Sequence, residues 1–289
     1  MQAHPEIGQS IVAAGIRTNY HDLGEGSPVL MIHGSGPGVS AWVNWRAVMP
    51  KLSESFRVIA PDMVGFGFTE RPSGVRYDLN TWVGQLVGLL DALDLPQVDL
   101  VGNSFGGALA LALAIRHPKR VRRLVLMGSV GVGFQLTPGL DAVWGYTPSV
   151  EAMRRLMGLF TFDRSAINEE LIHSRYRASI QPGFQEAYSS MFPAPRQQWV
   201  EAMASTEADI RAIPHEALVM HGREDRVVPL ETSLKLSSLI PRAQLHVFGQ
   251  CGHWTQIEHA RRFIELVSGF LQEAEQDEPV ALTCAADAA

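Results

Sequence analysis

Apolar residues along the chain fall into two alternating rhythms. Short continuous runs, Pro28 to His33, Arg57 to Pro61, Val98 to Val101 and Val121 to Met127, end in Gly, Pro or Asp and have the length of buried strands. Between them apolar positions recur at a helical period. Trp82, Val83, Leu86, Leu89, Leu90 and Leu93 do so within Leu79 to Leu93, and Phe105 to Arg116 is an alanine- and leucine-rich helix that stops before Pro118. The alternation returns late, with a strand at Ala217 to Met220, a helix from about Glu231 to Leu239, a strand at Gln244 to Phe248 and a helix from Thr255 to about Leu271. Ser10 to Ala14 and Ile16 to Tyr20, parted by Gly15, predict an antiparallel hairpin at one sheet edge. Strands apolar throughout, separated by helices, predict a mostly parallel sheet with helices on both faces.

Between about Gly133 and Ile213 the strand-like runs vanish. Met153 to Phe160, Glu169 to Ser179 and Gln197 to Ala204 read as helices, punctuated by prolines 138, 148, 182, 193 and 195. The chain thus divides into a first core part over 1–133, a helical cap over 134–213 inserted after the sixth strand, a second core part over 214–272, and a loose tail over 273–289 that has lost its periodicity.

Composition narrows the function classes. A net charge of -6, with only short basic clusters such as Lys119 to Arg123, gives no general pull toward nucleic acid or an anionic membrane. Apolar runs such as Ala108 to Ile115 fall far short of the roughly 20 residues a span requires. Met1 to Gly8 has no basic head followed by an apolar stretch, so no signal peptide is expected. Two cysteines, Cys251 and Cys284, make no disulfide framework and suit a reducing cytoplasm.

The strongest chemical signal is Gly102-Asn103-Ser104-Phe105-Gly106, a G-x-S-x-G set between an apolar strand and an apolar helix. A serine there sits on a tight turn at the sheet's end, with the Phe105 N–H and the helix N-terminus placed to stabilise an oxyanion. Serine needs a base, and the base an orienting acid. Asp225 follows the strand Ala217 to Met220 and His253 follows Gln244 to Phe248, so both stand at the strand ends that also present Ser104. The order Ser, acid, His resembles the α/β-hydrolase fold. Glu224 is an alternative acid; His221 and His246 read as packing or surface residues. Cys251 with His253 is a weak metal pair, having no third ligand nearby, and neither metal nor cofactor is expected. The loop His33-Gly34-Ser35-Gly36-Pro37-Gly38 should supply the second oxyanion donor, the Ser35 N–H.

Those runs, with Ala60 to Gly67 and Gly252-His253-Trp254, resemble the meta-cleavage product hydrolases, the C–C bond hydrolases of aromatic degradation. The resemblance covers about Gly8 to Leu271 and includes Ser179 to Phe184 in the cap. It implies substrates of the 2-hydroxy-6-oxo-hexa-2,4-dienoate class. Arg175, Asn44, Asn103 and Trp254, with Gly34 beside them, would hold the dienoate head. On sequence alone Arg175 would read as a solvated cation on its helix. Val130, Trp144, Val200 and Val228 are candidates for lining the C6 side, where branched residues would favour a small substituent. A homo-oligomer, dimer or larger, is expected. The rival functions are a carboxylesterase or lactonase, which needs the triad without Arg175 or Asn44, and a catalytically inert binding protein, against which the intact triad argues.

Overall fold

The computed structural model describes residues 4–165 and 167–273, so the tail expected beyond Glu273, with Cys284, lies outside the described residues. Within them one sheet holds eight strands: β1 Gln9–Ala13, β2 Ile16–Leu23, β3 Pro28–Ile32, β4 Arg57–Pro61, β5 Val98–Asn103, β6 Val121–Met127, β7 Glu216–Gly222 and β8 Ala243–Phe248. Their order is β1-β2-β4-β3-β5-β6-β7-β8. The hairpin β1–β2 and the β2–β4 pair are antiparallel, and every other pair is parallel. The strand order reverses between β3 and β5, which makes the crevice beyond their C-terminal ends the expected ligand position.

Among the described residues thirteen α-helices accompany the sheet: α1 Ala41–Trp45, α2 Met49–Leu52, α3 Leu79–Ala92, α4 Phe105–Arg116, α5 Pro138–Trp144, α6 Val150–Phe160, α7 Glu169–Ser179, α8 Phe184–Met191, α9 Gln197–Ala202, α10 Glu207–Arg211, α11 Leu230–Leu239, α12 Thr255–Glu258 and α13 Ala260–Gln272. Successive strand residues feed opposite layers. Leu100, Leu124 and Leu126 pack toward α3 and α4, whereas Val101, Val125 and Met127 pack toward α1, α2 and α13. That two-sided burial is why these strands carry no polar face. The small residues of α4 let it lie against the sheet. A Cβ on Gly106 would stand 2.2 Å from the Ile32 carbonyl oxygen.

The sheet and most helices agree with the hydrophobic pattern. The helix expected from Thr255 to Leu271 is instead two, broken at His259 (φ -126°, ψ 41°). The break lets Trp254 and Gln256 wall the crevice while Phe263, Val267 and Phe270 of α13 pack on the sheet. Helices α1, α5, α8 and α10 are too short to show a period. The α5–α10 segment, between β6 and β7, is tied over the loop after β3. Trp144 Nε1 donates to Ser35 Oγ at 3.0 Å, and the Tyr188 hydroxyl donates to the Ser35 carbonyl at 2.9 Å. No described helix is long and apolar enough to cross a membrane.

Candidate active site

Ser104 stands between β5 and α4 with φ 55° and ψ -113°, a conformation that a residue bearing a Cβ adopts only when its surroundings enforce it. Here β6 enforces it. The Ser104 N–H donates to the Met127 carbonyl at 2.8 Å, and the Ser104 carbonyl accepts from the Val130 N–H at 3.1 Å. A side chain at Gly102 would meet the Gly106 carbonyl oxygen at 2.5 Å, so the turn closes only on glycine.

Asp225 lies in the turn after β7, with its side chain fully buried. Its Oδ1 accepts from the Val227 and Val228 N–H groups at 2.7 and 3.0 Å, and its Oδ2 lies 2.6 Å from His253 Nδ1. Burial works to raise its pKa, but the His253 charge and hydrogen bonds from His221 and His253 outweigh it and hold the carboxyl below the ordinary range. His221 does more than pack. Its Nε2 sits 3.3 Å from Asp225 Oδ2 and 3.0 Å from the Val228 carbonyl, while its Nδ1 faces Ser233 Oγ at 2.7 Å. Glu224 points away, pairing with Arg223 and accepting from the Cys251 N–H at 3.0 Å. Burial first, then Glu258, Asp225 and Glu224, pushes the Cys251 thiol far above its usual range. Among the described residues no group of three His, Cys, Asp or Glu side chains could hold a metal. His246, on β8, is partly exposed.

The His253 loop is clamped from two sides. Its N–H donates to the Phe160 carbonyl at 2.8 Å, and Glu258 accepts from the Gly252 N–H at 2.7 Å. Ser104 and His253 share a cavity of about 250 Å³, and no hydrogen bond joins their side chains. Such contacts commonly tighten only once substrate binds. Gly34 lies close to the serine, a Cβ there standing 3.5 Å from Ser104 Cβ, and the Ser35 and Phe105 N–H groups have no acceptor among the described residues. His33 braces the Ser35 loop, its Nδ1–H donating to the Gly34 carbonyl at 2.7 Å and its Nε2 accepting from the Met63 N–H at 2.9 Å. Burial lowers the His33 pKa to about 4, against the opposing Gly34 contact.

The cavity is polar at one end and apolar elsewhere. Gly34, Asn44, Asn103, Arg175 and Trp254 all line it. Trp254 stacks on Phe160 with ring centroids 4.5 Å apart. Asn44 Nδ2 and Arg175 Nε and Nη1 are buried without a partner among the described residues, which is costly for donors left unmatched. Gln256 Oε1, an acceptor that sequence reasoning missed, is likewise buried, unpartnered and in the wall. Val130, Val200, Val228 and Trp144 require correction. All four pack in the core beside the cavity rather than in its wall, which is made by Leu140, Val143, Met153, Met157, Phe160 and Val227. The physical reason is local. Val227 and Val228 both cap Asp225 with their N–H groups, but only the Val227 side chain reaches the crevice.

A sheet of this order, with a serine elbow after β5, an acid after β7 and a histidine after β8, defines a serine hydrolase of the α/β type. The α/β-hydrolase fold profile matches residues 27–260, and the chain belongs to that family. Over 274 residues it is 66% identical to a 2-hydroxymuconate semialdehyde hydrolase of Pseudomonas sp. strain CF600, covering 95% of this chain and 97% of the relative. A 2-hydroxy-6-oxo-2,4-heptadienoate hydrolase of Pseudomonas putida is also 66% identical, covering 92% of this chain and 96% of its own. A meta-cleavage product hydrolase from Pseudomonas fluorescens IP01, solved with acetates, superposes with a TM-score of 0.92 at 60% identity, covering 93% of this chain and 98% of that one. Within the α/β-hydrolases the chain is a member of the meta-cleavage product hydrolases.

Proposed function

We propose that this enzyme cleaves the C5–C6 bond of 2-hydroxy-6-oxo-hexa-2,4-dienoates, with hydrogen, methyl or a short alkyl group on C6. The observation that carries this reading is the set of unpartnered buried donors, Asn44 Nδ2 and Arg175 Nε and Nη1, in one cavity with Ser104 and His253. An ester hydrolase needs no such charge in its pocket, whereas a substrate carboxylate satisfies it.

The chemistry follows from the placement. Ketonisation moves the 2-hydroxyl proton to C5 and leaves a 2-oxo group conjugated to C3=C4. Ser104, with His253 as base and Asp225 holding its Nδ1–H, then promotes addition at the C6 carbonyl, whose oxygen the Ser35 and Phe105 N–H groups receive. When C5–C6 breaks, the electron pair passes from C5 into the 2-oxo system. Water supplies the hydroxyl that makes C6 a carboxylic acid and the proton that completes 2-hydroxypenta-2,4-dienoate. The small apolar wall of Leu140, Val143 and Val227 supports the preference for a small C6 group. A cytoplasmic homo-oligomer completes the proposal, and the buried Cys251 thiol, which has no disulfide partner among the described residues, supports its reducing location.

The test follows loss of the dienoate chromophore with hydrogen, methyl and phenyl on C6. Turnover should be fastest for the first two, and Ser104→Ala should lose at least about 10³-fold in kcat while still binding the dienoate. Hydrolysis of simple esters with no dienoate turnover would make this an esterase instead.

A further inference from the structure

Glu6 belongs to the chain's N-terminal segment, far in sequence from every residue of the site, yet its buried carboxylate touches two of the elements that build the polar end of the cavity. Oε1 accepts from Arg175 Nη2 of α7 at 3.3 Å. Oε2 accepts from the Ser40 hydroxyl at 2.6 Å. Ser40 is the N-cap of α1, its Oγ accepting from the Val43 N–H at 3.3 Å, and α1 carries Asn44. The segment is itself anchored. The Glu6 carbonyl accepts from Asn19 Nδ2 at 3.0 Å and lies 3.3 Å from His21 Nε2, and Asn19 Nδ2 also reaches Asp62 Oδ2 at 2.8 Å.

We infer that Glu6 is a positioning residue for substrate recognition, a strut that sets Arg175 of the cap at a fixed place relative to Asn44 of the core. The inference rests on the proposed role of Arg175 toward a dienoate carboxylate. The chemistry suits a strut. A buried guanidinium without a counter-ion is strongly disfavoured, and a carboxylate beside it removes that penalty before substrate arrives. The contact is single and long, so it takes one of the five N–H donors that a guanidinium carries. Arg175 lines the cavity, and its Nε and Nη1 have no partner among the described residues. A tighter, two-pronged pair would have consumed the donors the substrate needs. Because one carboxylate bridges Arg175 and the N-cap of α1, the Asn44 and Arg175 donors are set against each other by a single side chain.

The readout is a ratio, kcat/KM for the 6-methyl dienoate divided by kcat/KM for p-nitrophenyl acetate, which general unfolding leaves unchanged. Glu6→Ala should lower it at least about tenfold, and Glu6→Gln, which keeps an acceptor for Arg175 but loses the counter-charge, should recover only part of that loss. Glu6→Asp keeps the charge but falls short of Arg175. It should lower the ratio as the alanine variant does and serves as the test should Glu6→Ala fail to fold. The double variant Glu6→Ala with Arg175→Gln should be no worse than Arg175→Gln alone, since both break one unit. A normal ratio in Glu6→Ala and Glu6→Asp, or additive losses in the double variant, overturns the inference. Should Arg175→Gln itself keep the wild-type ratio, the carboxylate role of Arg175 falls and Glu6 with it. Should Arg175→Gln lower the ratio while the Glu6 variants do not, the proposed function stands and the strut alone is refuted.

Discussion

Asp225→Asn sets one amide oxygen against four donors. In the native site Oδ1 takes the Val227 and Val228 N–H groups, and Oδ2 takes His253 Nδ1–H and the more distant His221 Nε2–H. The two backbone donors cannot retreat without unwinding the turn, so the amide oxygen should settle on their side and the NH₂ group should face the imidazoles. His253 can meet that donor only by moving its proton to Nε2, the nitrogen on the Ser104 side. It then cannot take the serine proton. The expected loss is on the order of 10⁴-fold in kcat, the scale of a triad locked in the wrong tautomer. KM should change little, because the Arg175 end is untouched. Stability should fall by about 1–3 kcal/mol, the cost of donors left unmatched in a buried place, with His221 still bonded to the Val228 carbonyl. Dienoate turnover and thermal unfolding measure the two effects separately, and nitrogen NMR reads the His253 tautomer. Activity within tenfold of wild type would refute the reasoning, as would a larger loss from Glu224→Gln.

Two further outcomes follow from the cavity and from the loop after β3. Val227→Ala and Leu140→Ala should improve a phenyl-substituted dienoate over the 6-methyl one by about 1–3 kcal/mol in relative kcat/KM. Val130→Ala and Val228→Ala should lower stability and leave that selectivity unchanged; the reverse pattern would move the acyl wall to the core valines. Buried and neutral, His33 takes up a proton only near pH 4, whereas in the unfolded chain it does so at 6.5. The stability this protects is whole above pH 6.5 and is lost as pH falls from 6.5 to about 4, about 3 kcal/mol in all. His33→Gln should flatten that part of the curve of unfolding free energy against pH, and an unchanged slope would show that His33 titrates normally.

What the sequence disclosed depended on whether the deciding contacts were local. The elbow at Ser104 was legible because a strand, two glycines and a helix within a few residues determine its geometry, and Asp225 and His253 each follow a recognisable strand. Thr255 to Leu271 reads as one helix because apolar periodicity carries across His259, where the backbone nevertheless leaves the helical region. The valines were misplaced for a related reason. Residue type signals burial, but a wall of a cavity and a wall of the core are equally buried, and neighbours such as Val227 and Val228 part company only in three dimensions. Gln256 and Glu6 were missed because their significance rests on partners far along the chain. The bond from Gln256 Nε2 to the Asn44 carbonyl spans 212 positions, and that from Arg175 to Glu6 spans 169. His221 was underestimated because its contact with Asp225 depends on how the turn after β7 folds back.

The site divides its labour between two parts of the fold. Ser104, Asp225 and His253 follow β5, β7 and β8, and the loop after β3 supplies Ser35, so the groups proposed to break the bond are fixed by the sheet itself. The donors proposed to receive the substrate carboxylate are held differently. Arg175 comes from a helix between β6 and β7, Asn44 from a five-residue helix, and the two meet through Glu6. A substitution among the cap residues that wall the cavity, such as Val143 or Met157, therefore alters which molecule fits without moving the elbow, whose conformation is imposed by Met127 and Val130. The coupling between the parts bears on the catalytic loops: Glu258, which holds the His253 loop, accepts from the Phe162 and Asp163 N–H groups, and Arg226 reaches the Thr161 carbonyl. Phe160 at the end of α6 accepts from the His253 N–H, and Trp144 and Tyr188 hold the Ser35 residue. Specificity can change through the side chains of this segment that wall the cavity while catalysis persists, as long as the contacts that hold the His253 and Ser35 loops are kept.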